Sequence, residues 1–106
     1  MHGNNLAAQL YAKAQRHPVS EWRRGTSRRY VREPVLMRRL GGTQDIHGCT
    51  VDAGPDSLGI SCREALEPGD RIHVRLSLKS DEWWLFEVRH CSPSVSGFKV
   101  GLRILG

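Results

Sequence analysis

The 106-residue sequence predicts a small all-β domain preceded by one short helix. Three observations carry that prediction. Short stretches between residues 33 and 105 alternate apolar with polar side chains, the period of a half-buried strand. Turn formers separate them: Gly41-Gly42, Gly54-Pro55-Asp56, Pro68-Gly69-Asp70 and residues 93–97. Helical spacing lies ahead of them all, in residues 4–16. Six strands of this kind describe an antiparallel barrel or sandwich.

Taken in order, residues 4–16 (NNLAAQLYAKAQR) combine helix-favouring alanine and leucine with a capping Asn4 or Asn5, and His17-Pro18 ends the run. Leu6, Leu10 and Ala14 form a narrow apolar stripe, so this helix must dock on the domain or on a partner. Residues 18–27 are a basic connector containing Trp22. The chain therefore divides into residues 1–26, helix and connector, and residues 27–106, the β domain. The first strand starts near Glu33, with Val35 and Met37 opposite in facing to Leu36 and Arg38, and Gly41-Gly42 stops it. Residues 47–53 and 58–62 are the next two. After Pro68-Gly69-Asp70 comes the clearest alternation, Ile72, Val74, Leu76 and Leu78 against Arg71, His73, Arg75, Ser77 and Lys79. Residues 83–91 place Trp84, Phe86 and Val88 on one face. Residues 98–105 close the chain, with Phe98, Val100, Leu102 and Ile104 facing away from Lys99 and Arg103.

With 39% hydrophobic and 25% charged residues, the composition is that of a soluble globular domain, too small for a deep catalytic cleft. No apolar run approaches the ~20 residues of a membrane span. The N-terminus has no basic region followed by an apolar stretch, so a cytoplasmic location is expected. Three cysteines, Cys49, Cys62 and Cys91, are an odd number without a CxxC pair, which predicts reduced thiols rather than a disulfide scaffold. His47, Cys49, Cys62, His73, His90 and Cys91 offer ligand atoms for zinc, but their spacing matches no finger or ribbon, so no metal is expected. No catalytic constellation stands out either, and a binding module is expected rather than an enzyme. The net charge is +5, with Arg23, Arg24, Arg28, Arg29, Arg32, Arg38 and Arg39 inside 17 residues. Such a cluster favours an anionic partner, and arginine suits phosphate or a guanine edge through its forked donors.

Over residues 27–105 four pieces occur in a telling order: Arg28-Arg29-Tyr30-Val31-Arg32, an RxxxR just before a strand; Asp52-Ala53-Gly54-Pro55-Asp56-Ser57-Leu58-Gly59-Ile60; Pro68-Gly69-Asp70-Arg71-Ile72; and Val88-Arg89-His90-Cys91 with Val100-Gly101-Leu102-Arg103-Ile104. In these the sequence resembles the PilZ family. The resemblance implies a six-stranded antiparallel PilZ-like β-barrel that binds the bacterial second messenger cyclic di-GMP as a receptor or adaptor, without a cofactor, and signals to an effector protein. It implies a ligand set of Arg28, Arg29, Arg32, Asp52, Gly54 and Ser57. Arg28 and Arg32 would grip phosphates and guanine edges, and Asp52 would accept from guanine N–H groups.

The second motif departs from the family's DxSxxG, reading Asp-x-Gly-x-x-Ser with the serine and glycine places exchanged. A lost hydroxyl bond costs about 1 kcal/mol. A serine forced to positive φ costs about another 1 kcal/mol, so the expected penalty is roughly 30-fold in affinity. A PilZ-like domain that has lost its nucleotide and serves protein interaction is the alternative. A single-stranded nucleic-acid barrel, stacking bases on Trp22, Tyr30 and Trp83, is a weaker one.

Overall fold

The computed structural model describes residues 5–14 and 28–106. The basic connector with Trp22, Arg23 and Arg24, and the proline stop at His17-Pro18, lie outside the described residues. The elements are α1 (Leu6–Lys13), β1 (Arg29–Tyr30), β2 (Pro34–Arg39), β3 (Ile46–Ala53), β4 (Ser57–Cys62), β5 (Arg71–Leu76), β6 (Trp84–Ser94) and β7 (Gly97–Ile104).

Every pairing is antiparallel, and the strands run β3-β2-β5-β6-β7-β4 before β4 returns to β3. The sheet thus closes on itself as a six-stranded barrel. The two-residue β1 pairs with the end of β3, Arg29 opposite Ala53 and Tyr30 opposite Asp52. Alternate residues fill the interior: Val35 and Met37, Ile72 and Val74, Phe86 and Val88, Val100 and Leu102 are all essentially inaccessible. That is the face the period-two pattern assigned to the core.

Helix α1 is short, and packing holds it. The Asn5 side chain accepts from the Ala8 N–H at 2.9 Å, a helix N-cap. Leu6, Ala7 and Leu10 sink into the same core as the barrel strands, packed against β3 and β4. The stripe is therefore Leu6, Ala7 and Leu10, with Ala14 outside the helix as its C-cap.

Three strand boundaries differ from expectation. β5 stops at Leu76, and Leu78 is 77% exposed in the following turn. The reason is a lack of partners: Val35 is the last β2 residue paired, opposite Leu76, and β6 begins only at Trp84, opposite Val74. Nor does β6 end at Cys91, since it continues through Pro93 to Ser94 in a tight hairpin with β7. Finally, the arginine segment itself contributes β1, separated from β2 by residues 31–33. The turn before β5 is as the sequence predicts: Asp70 N–H donates to Glu67 O at 3.0 Å, and Gly69 takes a φ of 95°, the type II position that needs glycine.

Candidate functional site

A β-bulge displaces β3 between Thr50 and Asp52, so that Asp52 pairs with Gly59 of β4. Bulges re-aim side chains, and here the carboxylate is laid sideways across the neighbouring strand. A Cβ on Gly59 would lie 2.5 Å from Asp52 Oδ1, so only glycine leaves room for this arrangement. Asp52 is 4% exposed and nevertheless well partnered. Arg28, immediately before β1, donates to Asp52 Oδ1 from Nε at 3.1 Å and from Nη2 at 2.5 Å. Its Nη1 donates to Ser57 Oγ at 2.6 Å. Lys99 Nζ stands 3.8 Å from Asp52 Oδ2. Burying a carboxylate without such partners would be prohibitive.

The exchanged motif is therefore benign in one respect. No non-glycine residue among those described has a positive φ, so Ser57 carries no backbone penalty. Its hydroxyl faces Arg28 and supplies a polar group to the site although Gly54 cannot. Gly54 is buried beneath the turn, its N–H donating to Ser57 O at 2.9 Å.

Of the six expected ligand residues, Arg28, Asp52 and Ser57 come together and Gly54 underlies them. The other two arginines lie elsewhere. Arg29 donates from Nη1 to Tyr11 O at 3.0 Å, with its guanidinium carbon 4.0 Å from the centre of the Tyr11 ring. It fastens α1 to the barrel. Arg32 lines a separate recess with Lys13, Tyr30 and Glu33.

The cleft beside Arg28 has a volume of about 230 Å³, and it continues over β4, β7 and the bulged part of β6. Arg89, His90, Lys99 and Arg103 add to its walls, against Asp52 and Asp56 as the acids. Lys99 and Arg103 belong to the outward face that alternation already assigned to the last strand. Arg89 and His90 reach the cleft because of a second bulge, between Val88 and His90, which alternation does not reveal. The cleft is shallow, below the ~300 Å³ at which enclosed ligand pockets begin. A nucleotide-sized ligand would lie on this wall with one side open to water.

Burial pushes the Cys62 thiol above its ordinary value, and the hydrogen bond from Arg38 holds Asp45 below the usual carboxylate range. All three cysteines are free thiols. Among the described residues, no group of three or more His, Cys, Asp or Glu side chains is placed to hold a metal ion, and no helix is long and apolar enough to cross a membrane.

Fold and site together define a small closed β-barrel with a cationic cleft on its outer wall. No protein-family model matches the chain, and no curated protein matches it.

Proposed function

We propose that this chain is a PilZ-like binding module for cyclic di-GMP, acting as a receptor or adaptor in bacterial second-messenger signalling. One observation carries the reading. An arginine of the RxxxR segment is hydrogen-bonded to the aspartate and the serine of the second motif, 24 and 29 residues further along the chain. That the two motifs resembling the family's ligand-binding pieces come together in space supports this reading.

In this reading Arg28 occupies the place of the ligand's donors. A guanine presenting N–H groups to Asp52 displaces the guanidinium, which turns outward to a phosphate. Arg32, which lines the neighbouring recess, joins if its guanidinium swings toward the ligand. Because Arg29 follows Arg28 and holds Tyr11, movement of this segment loosens α1, and the helix becomes the signal to an effector protein. Calorimetric titration of the parent, Arg28→Ala and Arg32→Ala with cyclic di-GMP tests the proposal. Binding by the parent and at least a tenfold loss in Arg28→Ala are expected. An absence of heat up to about millimolar ligand refutes it.

A second reading has its own support: Arg28 is already satisfied by Asp52 and Ser57, and Arg32 lies off the site. A domain of this kind with no nucleotide acts as a protein-interaction module, and the same titration separates the two.

A further inference from the structure

Four residues stand in one row across four strands: Asp52 of β3 pairs with Gly59 of β4, Gly59 with Gly101 of β7, and Gly101 with His90 of β6. The row is symmetric in construction. Each end is a bulged strand, and each bulge delivers a polar side chain toward the glycine beside it. Asp52 lies over Gly59, and the imidazole of His90 lies over Gly101 with Nε2 nearest. A Cβ on Gly101 would collide with that ring, as a Cβ on Gly59 would with the carboxylate. The two glycines leave room for the carboxylate and the imidazole, which lie over them inside the cleft.

We infer that His90 is a second base-recognition residue of this cleft, donating from Nε2 to an acceptor on the purine whose N–H groups face Asp52. The inference rests on the cyclic di-GMP reading and deepens it. An acid at one end of the row accepts, and an imidazole N–H at the other end donates. Guanine alone among the common bases offers an N1–H and N2–H donor edge beside paired O6 and N7 acceptors. The acceptor and the donor stand side by side above the two glycines, so one purine can meet both at its edge, and Lys99 and Arg103, on the same outward face of β7, are left for phosphate. His90 is exposed to solvent at the cleft.

The test is calorimetric titration of cyclic di-GMP and cyclic di-AMP into the full chain and into His90→Ala, His90→Gln, Gly101→Ala and Arg28→Ala. Loss of the donor in His90→Ala is expected to weaken cyclic di-GMP about five- to tenfold, the worth of one hydrogen bond, and to narrow its preference over cyclic di-AMP. His90→Gln, which keeps an N–H donor, restores most of the loss. Gly101→Ala, whose methyl evicts the ring, behaves like His90→Ala while retaining the parent's circular dichroism spectrum. If the parent binds and Arg28→Ala does not, but the His90 variants bind as the parent does, this inference is overturned and the receptor reading stands. If the parent binds neither dinucleotide, both fall.

Discussion

Removing Arg28 should destabilise the barrel as well as alter its binding, and the size of that effect follows from the geometry. Arg28→Ala leaves the Asp52 carboxylate, whose side chain is 6% exposed, without its two guanidinium hydrogen bonds. Charge-assisted bonds contribute about 1.5–3 kcal/mol each. Two onto the same oxygen are worth less than twice one, the Arg28 side chain keeps 20% exposure, and Lys99 at 3.8 Å can move in. A net loss of about 2–3 kcal/mol remains, or a fall in Tm of roughly 10 °C or more for a domain of this size. The assay is a double-mutant cycle by urea denaturation, with Arg28→Ala, Asp52→Asn and the double variant. Once Asp52 is uncharged, the bonds it accepts from Arg28 lose their charge assistance, so the coupling energy should be about 1–2 kcal/mol. Single effects that add to within about 0.5 kcal/mol would refute the idea that this pair anchors the site.

Two further outcomes are expected. Leu10→Ala, at a position 1% exposed between helix and barrel, should cost about 2–5 kcal/mol in urea denaturation; a loss under about 1 kcal/mol would mean that α1 does not share the core. Cys62, with its thiol pushed up by burial, holds less thiolate at any given pH, so it should be the slowest of the three cysteines to react with a thiol reagent at pH 8. Denaturant should erase the difference, and labelling of Cys62 as fast as Cys49 in the folded protein would contradict its burial.

The barrel was legible because its strands are half-buried: one face packs inside and the other meets water, and Ile72-Val74 or Val100-Leu102 write that directly into the sequence. Turn chemistry was legible wherever one residue type is required, as at Pro68-Gly69. Strand ends were not. Leu78 continues the alternation of β5 perfectly, yet a strand persists only where a neighbour pairs with it, and pairing across β2 and β6 is not a local property. The arginines show the same limit. Arg28, Arg29 and Arg32 look equivalent as a run of charge, but three destinations separate them: the Asp52 cleft, the Tyr11 ring and the recess beside Lys13.

The half of the cleft beyond Asp52 was hidden for a different reason. A bulge inserts one residue and reverses the facing of everything after it, so Arg89 and His90 cannot be assigned to a wall by counting. Gly59 and Gly101 are equally silent alone, since a glycine in a strand is as compatible with a bulge as with a neighbouring side chain laid over it. Only the register joins them, by placing both between the same acid and the same imidazole. The consequence is physical rather than descriptive. Asp52 pairs with Tyr30 on one side and Gly59 on the other while holding Arg28, so any ligand that takes the carboxylate acts on β1 and on the glycine row at once. Through Arg29 and Tyr11, the first of these leads to α1; through Gly101, the second leads to His90. Under the receptor reading proposed above, a ligand taken up at Asp52 would thereby reach both α1 and His90.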